Sequence, residues 1–135
     1  MGNMMDLNDL GDLLSGGDRV LDGIQTTSDD ACALAGKKFP GKPYCLVEDW
    51  VLIDLTPSPS QLIAFKAKSF SPTFLYARHV ILDSKGRFQY GNWVRSTFEF
   101  YFEEPGWFLT KNTLYVLLGK GGRKTGPLSF YMDIH

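Results

Sequence analysis

A glycine-rich basic segment near the C-terminus contains the residue types that bind phosphate. Residues 119–127 read Gly-Lys-Gly-Gly-Arg-Lys-Thr-Gly-Pro, so Lys120, Arg123 and Lys124 stand among glycines. Backbone amides in glycine-rich turns can hold an anion, and the basic side chains would add positive charge. A P-loop requires Ser or Thr after Gly-Lys, whereas Gly121 follows Lys120 here. The sequence therefore predicts a solvated hairpin loop, with Lys120, Arg123 and Lys124 as a candidate anion-binding loop.

Apolar and polar side chains alternate from residue 93 to residue 103. Successive side chains of a strand point to opposite faces of a sheet, so this pattern predicts one buried and one solvent-exposed face. The predicted buried face holds Val94, Ser96, Phe98, Phe100 and Phe102. The exposed face holds Trp93, Arg95, Thr97 and Tyr101. Because Trp, Tyr and Arg dominate interaction hot spots, we interpret these four residues as an interface or ligand platform, with ordinary cross-strand pairing as the alternative.

Catalytic and metal-binding constellations are not visible in the sequence. His79 is the only histidine apart from the final residue, and Cys32 and Cys45 lack the spacing of metal ligands. Serine and threonine are plentiful, but none has a paired base in view. We therefore expect no catalytic residues, no metal and no cofactor. An enzyme whose site is assembled across strands is the alternative.

Length and composition indicate one folded domain. In a chain of 135 residues, 44% are hydrophobic and 21% are charged, which is typical of a globular protein. No apolar run approaches the ~20 residues that span a bilayer, and acidic residues stand where a secretory signal has a basic region. We expect a cytoplasmic protein with free thiols and no membrane partner. The pI of about 6.1 argues against a nucleic-acid partner.

Charge is distributed unevenly along the chain. Residues 1–30 contain seven aspartates and one arginine, a net charge of −6, and the rest of the chain carries +5. A solvated acidic helix face is the commoner explanation of such a division, and the alternative is an acidic arm that lies on its own basic sheet or is offered to a basic partner.

Helical patterns occupy the first third of the chain. Leucines recur at helical spacing, which predicts an amphipathic helix over residues 5–14, and a further short turn is predicted over 18–24. Ser28 resembles a helix cap before a second helix near residues 29–37. Two prolines, Pro40 and Pro43, then form a linker.

Strand-like segments separated by turn residues follow. They are residues 45–55, 62–70, 75–82, 88–104 (one strand, or two joined at Gly91), 113–118 and 128–134. Because the connections are short, we predict an antiparallel meander. The predicted fold class is α+β, with short N-terminal helices and a five- to six-stranded, mainly antiparallel sheet. Residues 1–135 form one predicted domain, in which 1–43 are the helical acidic segment and 44–135 the sheet.

Two segments resemble small uncharacterised proteins encoded by bacterial phages and prophages. They are residues 91–97, Gly-Asn-Trp-Val-Arg-Ser-Thr, and residues 110–121, Thr-Lys-Asn-Thr-Leu-Tyr-Val-Leu-Leu-Gly-Lys-Gly, within a resemblance over residues 44–124. The resemblance carries no established activity, so it assigns no site residue. It implies a small bacterial or viral cytoplasmic protein, in a setting where proteins often bind and block a host complex.

These observations predict a non-catalytic protein-interaction module that modulates a host complex. The alternative is a small-ligand or nucleotide-binding protein, or an enzyme, with its site on the polar face of the sheet. The expected partner is another protein, and it could be a second copy of this chain, because exposed edge strands also pair with copies of themselves.

Overall fold

The computed structural model describes residues 19–129 and residue 131. Within this part of the chain the elements are, in order, β1 (Arg19–Asp22), α1 (Ser28–Lys38), β2 (Tyr44–Thr56), α2 (Pro59–Ala67), β3 (Ser71–Asp83), β4 (Val94–Glu99), β5 (Tyr101–Glu103), β6 (Trp107–Leu109), β7 (Leu114–Leu117) and β8 (Lys120–Pro127). The predicted helix over residues 5–14 lies outside the described residues.

The long strand β2 organises the sheet, because other strands pair with both of its edges. β3 runs antiparallel along one edge, and the other edge is shared by β7 and β8, which both run parallel to β2. β1 pairs antiparallel with β8, β6 and β5 continue the sheet beyond β7, and β4 continues it beyond β3. The fold is therefore mainly β, with a mixed sheet of eight strands within the described residues, and the predicted five- to six-stranded, mainly antiparallel meander is wrong.

The length of the connection between β2 and β7 explains the parallel pairing. Residues 57–113 lie between them and contain a helix and four strands, well beyond the dozen residues that a parallel crossover needs. The prediction assumed that strands adjacent in sequence are adjacent in the sheet. β2 instead takes two partners from the end of the chain.

The sheet curls, because β4 and β5 lie at different ends of the strand order although only Phe100 separates them in the chain. The Phe100 backbone amide donates to Leu109 at 2.8 Å. One core cluster draws residues from five strands around the curl: Cys45, Val47, Trp50, Leu52, Leu75, Ala77, Val80, Val94, Phe108, Tyr115 and Leu117. Burial of this cluster is the main force that holds the curled sheet together.

Two smaller clusters cover the opposite side of the strands. Ala31 and Ala35 of α1 pack against Leu46, Leu114 and Val116. Further along β2 a second cluster contains Val51, Ile53, Leu55, Phe74 and Tyr76, with Phe98, Leu128 and Tyr131 packed against it. The alternation along β2 thus buries both of its faces.

Several predicted elements agree with the structure. The helix near residues 29–37 is α1, capped by Thr27 rather than by Ser28, and the Thr27 hydroxyl accepts from the Asp30 amide at 3.2 Å. The strands predicted over 45–55, 75–82 and 113–118 correspond to β2, β3 and β7. The predicted turn over 18–24 is instead the edge strand β1.

Residues 62–70 are not a strand, because most of them belong to α2. Ser58 and Gln61 form a reciprocal capping box in which each side chain accepts a hydrogen bond from the other residue's backbone amide, and Pro59 occupies the first helical turn. These residues are a recognised start signal for a helix, and it outweighs the strand-like composition of the following segment.

The glycine-rich segment is not a loop, and most of it forms β8. An added Cβ on Gly121 would lie 2.2 Å from the Trp50 ring, so the absence of a side chain makes room for the indole. The indole Nε1 also donates to the Leu118 carbonyl at 3.1 Å. Glycine here permits close packing within a strand.

The long strand predicted over 88–104 and the last strand over 128–134 also differ from the structure. Residues 84–93 connect β3 to β4, and pairing begins at Val94. After β8, Leu128 is in a turn and residues 129 and 131 are helical rather than in a strand, and the Tyr131 amide donates to the Leu128 carbonyl at 3.1 Å.

The predicted buried face of residues 94–102 is correct in part. Val94 and Ser96 are buried, and Phe98 and Phe102 are partly buried against core clusters. Phe100, however, is 50% exposed, so its predicted burial is wrong. It links β4 to β5, and the alternation of faces does not continue across a break between strands.

Candidate functional site

The four residues of the predicted platform lie in two different surroundings. Trp93 directly precedes β4 and stacks on Tyr76, Arg95 is near the start of β4 and lies over Tyr131, and Thr97 is exposed further along this strand. Tyr101 is on β5, next to α1. The structure therefore brings Trp93 and Arg95 together and separates them from Tyr101.

Two pairs of rings link β3 to the segment before β4, Tyr76 with Trp93 and His79 with Tyr90, and we call these four residues the aromatic surface. Trp93 stacks on Tyr76 with ring centroids 5.6 Å apart and planes 14° apart. Tyr90 meets His79 edge to face at 4.8 Å. Tyr90 is 73% exposed and Trp93 is 45% exposed, so two large rings lie at the surface in fixed orientations.

Charged groups border the aromatic surface. Burial raises the pKa of Tyr76, and the nearby Arg78 guanidinium acts in the opposite direction, which places a positive charge beside this ring. Arg78 is exposed, whereas His79 Nδ1 is 3.5 Å from Glu48 Oε1 at the other end of the patch. The Arg95 guanidinium lies 4.2 Å from the Tyr131 ring and donates to the Tyr131 carbonyl at 3.1 Å.

Tyr101 belongs to a contact that joins α1 to β5. Its hydroxyl donates to Glu103 Oε1 at 2.8 Å, and the ammonium group of Lys38 pairs with Oε2 of the same carboxylate. These two hydrogen bonds, first that from Lys38, lower the pKa of Glu103. Lys38 also lies over the Trp107 ring, 5.4 Å from its centroid. This arrangement is sufficiently explained by attachment of the helix to the sheet.

The three residues of the candidate anion-binding loop lie on β8, so they do not form a loop. Neighbouring residues of a strand point to opposite faces, which separates Arg123 from Lys124. Lys120 is exposed at the start of the strand. Arg123 is engaged with a carboxylate, and the three side chains do not converge on one point.

A polar cluster that was not predicted surrounds Arg123. Arg123 Nε donates to Asp54 Oδ2 at 2.7 Å and Nη2 donates to Oδ1 at 2.8 Å, a bidentate pair between parallel strands β8 and β2. The buried Thr73 hydroxyl also donates to Oδ1 at 2.8 Å. Burial would raise the pKa of Asp54, but the hydrogen bonds from Arg123 and Thr73 outweigh it and lower the pKa. Asp54 is therefore an ionised carboxylate that fixes the guanidinium.

Glu99 adds a second carboxyl group to this cluster. Its Oε1 atom is buried and has no hydrogen-bond partner within residues 19–129 and 131. Burial raises the pKa of Glu99, the Arg123 charge and the Ser71 hydroxyl oppose that rise, and Asp54 adds to it. The two carboxyl groups near Arg123 thus have pKa values shifted in opposite directions, which is a feature of binding and catalytic sites as well as of structural networks.

A cavity of about 350 Å³ opens beside this cluster, between β1 and β5, the strands at the two ends of the longest path through the sheet. All of β1 lines it, together with Phe102, Glu104, Pro105 and Arg123. Its volume is near the lower limit for pockets that hold small molecules.

Neither the two cysteines nor the possible metal-binding residues form a site of chemistry in the described part of the chain. Burial raises the pKa of the Cys45 thiol to about 12, so this cysteine is held in its unreactive thiol form. Both cysteines are free thiols. Within the described part of the chain, no three His, Cys, Asp or Glu residues lie close enough to hold a metal ion, and no helix is long and apolar enough to cross a membrane.

The separation of these residues in the chain explains why the polar cluster was missed. Asp54 and Arg123 are 69 positions apart, and Thr73 is 19 positions from Asp54. Only the pairing of β2 with β8 and β3 brings them together. An acidic residue within the apolar part of β2 from Trp50 to Leu55 was the available signal, since a buried charge needs a partner.

Comparison with known proteins gives a family. Residues 22–133 match the family described as "Domain of unknown function (DUF6957)", so the chain belongs to that family. No curated protein matches the chain. No solved structure matches it.

Proposed function

We propose that this member of the DUF6957 family is a non-catalytic protein-interaction module that binds its partner through the aromatic surface. The observation that carries the proposal is the pair of exposed rings, Tyr90 and Trp93, each held by a second ring beneath or beside it. Large exposed aromatic residues are typical of binding surfaces, because they bury much apolar area when a partner covers them.

The fixed orientation of the rings is a second reason to propose that they bind a partner. Trp93 lies flat on Tyr76, so it loses little side-chain entropy when a partner packs on its free face. Exposed Arg78 beside Tyr76 adds a cation at the edge of the patch. The partner surface that fits combines an apolar group, which covers the indole, with an acidic side chain, which pairs with Arg78.

A specific interface is larger than the area of these rings, so the proposed binding surface extends to neighbouring residues. About 800 Å² per partner is typical, so neighbouring residues such as Thr97 and Arg95 would contribute its polar rim. The proposed setting is the cytoplasm of a bacterium, and the partner a host protein, as the resemblance of residues 91–97 and 110–121 to phage and prophage proteins implies. A second copy of this chain is the rival partner.

Affinity capture from a bacterial host tests this proposal. Two variants are compared, each of which replaces an equally exposed residue at a different place on the surface. Trp93→Ala removes the centre of the aromatic surface, and Tyr101→Ala is the matched control, because Trp93 and Tyr101 are both 45% exposed. A partner recovered by the wild type and by Tyr101→Ala, but lost with Trp93→Ala, supports the proposal. Equal recovery by all three proteins overturns it, as does a wild-type protein that stays monomeric and recovers no partner. Circular dichroism confirms that each variant is folded.

A further inference from the structure

Two arginines face each other next to the cavity between β1 and β5. Arg19 is directly opposite Arg123 in the antiparallel pairing of β1 with β8, and both residues line the cavity. Like charges at opposed positions of a sheet repel each other. Within the described residues, Arg19 has no carboxylate at ion-pairing distance, although the more distant Asp54 attracts it. Among the described residues, the charge of Arg19 at the cavity is thus only partly compensated.

Arg123 is positioned and retains an unused donor group. Asp54 accepts hydrogen bonds from its Nε and Nη2 atoms, while its Nη1 atom makes none within residues 19–129 and 131. Because the bidentate pair fixes the plane of the guanidinium, the remaining donors have a fixed direction. A preorganised donor binds an anionic group without first losing conformational freedom.

The other cavity walls differ in character. Leu21, Phe102 and Pro105 are apolar, and the Phe102 ring centroid is 5.9 Å from the Arg123 guanidinium carbon. Asp22 and Glu104 contribute two carboxylates. The cavity therefore offers positive charge, negative charge and an apolar surface within about 350 Å³.

We propose that this cavity binds a small zwitterion of the amino-acid class, either a free amino acid or a short peptide with an apolar side chain. Its carboxylate pairs with Arg19 and with Nη1 of Arg123, its ammonium group with Asp22 and Glu104, and its side chain packs on Phe102. The lining presents both signs of charge, so a ligand that also carries both signs can pair with the arginines and with the carboxylates at once. A phosphate ion could pair with the two arginines, but it would leave Asp22 and Glu104 without a cationic partner and would be repelled by them.

This site is independent of the aromatic surface. The residues that define it lie on or beside β1, β5 and β8, whereas those of the aromatic surface lie on β3 and before β4. A small-ligand site could exist whether or not Trp93 binds a protein.

Titration of the full-length protein with matched ligands tests the proposal. Isothermal titration calorimetry compares phenylalanine with N-acetylphenylalanine, which lacks the ammonium charge, with phenethylamine, which lacks the carboxylate, and with inorganic phosphate. The dipeptide Phe-Leu distinguishes a short peptide from a free amino acid. We expect a zwitterion to bind at least about tenfold more tightly than either singly charged analogue, because each analogue leaves one pair of charged groups without a partner.

Variants distinguish this cavity from other binding sites. Arg19→Gln should weaken zwitterion binding about tenfold or more, since it removes one charge-assisted contact from an exposed edge strand without disturbing the core. Arg78→Gln, at the aromatic surface, is the matched control and should leave binding unchanged. Thermal melting confirms that both variants are folded, and Arg123→Lys, which keeps the charge but loses the fork geometry, should also weaken binding. Absence of zwitterion binding at millimolar concentration, equal binding of the acetylated analogue, preferential binding of phosphate, or binding that is indifferent to Arg19→Gln would each overturn the proposal.

Discussion

Asp54 of β2 and Arg123 of β8 are joined by two hydrogen bonds, of 2.7 and 2.8 Å, across a parallel strand pair. The register places Asp54 beside Thr125 and Arg123 beside Leu52, so the pair is diagonal and extends along the sheet. It therefore joins β2 to β8 and fixes the position of one strand along the other. Such a contact specifies the parallel register that the turn pattern alone did not predict.

Removal of one partner from this ion pair should destabilise the fold. Arg123→Ala leaves the carboxylate of Asp54 partly buried without its guanidinium, and we expect the free energy of unfolding to fall by about 2 kcal/mol, less than the 3–5 kcal/mol of a fully buried pair because both side chains are partly exposed. Urea denaturation measures the change. Arg78→Ala, at an exposed arginine, should stay within about 0.5 kcal/mol of the wild type. Equal losses in the two variants would contradict a structural role for the pair.

The two carboxyl groups near Arg123 should give opposite pH dependences. Glu99 has a raised pKa, so the folded state binds its proton more tightly and stability falls as pH rises from its ordinary value of 4.5 through the folded pKa. Glu99→Gln should therefore be more stable than the wild type by about 1 kcal/mol at neutral pH, with the difference vanishing below pH 4.5.

Asp54 should give the opposite pH dependence of stability when it is measured in the same way. Its pKa is lowered, so its contribution is present above the ordinary value of 3.8 and is lost as pH falls through the folded pKa. Asp54→Asn should be less stable than the wild type at neutral pH, and the difference should shrink in acid. Urea denaturation of both variants between about pH 2 and pH 8 tests the signs, because the loss predicted for Asp54 lies below its ordinary pKa of 3.8. A Glu99→Gln protein that is less stable at neutral pH would show that the carboxylate is satisfied in its site.

Glycine 121 should tolerate no side chain. Gly121→Ala would place Cβ 2.2 Å from the Trp50 ring, and we expect a loss of about 3 kcal/mol because the indole is enclosed by the core. Gly36→Ala is the control, since its Cβ would meet nothing within 4 Å and α1 should gain about 0.5–1 kcal/mol. Thermal melting separates these opposite effects. A neutral Gly121→Ala would mean that β8 can move away from Trp50.

Phenylalanine side chains should differ according to burial rather than sequence alternation. Phe108 is fully buried, so Phe108→Ala should cost about 3–5 kcal/mol, whereas Phe100→Ala, at a half-exposed ring, should cost less than about 1 kcal/mol. Chemical denaturation measures the loss in the free energy of unfolding for each variant. A large loss with Phe100→Ala would support the buried position that alternation predicted.

Local patterns were sufficient for α1, β2, β3 and β7, because caps, apolar runs and β-branched residues act over a few positions. They failed for β8, where the role of Gly121 depends on Trp50, 71 positions earlier in the printed sequence. They failed for α2 for a different reason, since the capping signal of Ser58 and Gln61 was present in the sequence but did not enter the prediction of a strand over 62–70. Prediction from adjacent segments also missed the return of β7 and β8 to β2.

For the candidate site, too, the sequence indicated some of the residues but not the residues that they contact. Exposed Trp93 followed from alternation, but its stacking on Tyr76 required the pairing of β3 with β4. Arg123 was singled out for its charge, yet its partner Asp54 and the neighbouring cavity depend on contacts between distant strands. Residue types were thus visible in the sequence, whereas their partners were set by topology.

The central claim is that Trp93 anchors a protein partner, and the affinity of the purified partner tests it most directly. Calorimetry should compare the wild type, Trp93→Ala and Tyr101→Ala, whose two target residues are equally exposed at 45%. A hot-spot tryptophan contributes about 2 kcal/mol or more, so Trp93→Ala should raise Kd about thirtyfold while Tyr101→Ala leaves it within about twofold. An unchanged Kd for a folded Trp93→Ala protein, or an equal loss in Tyr101→Ala, would contradict the proposal.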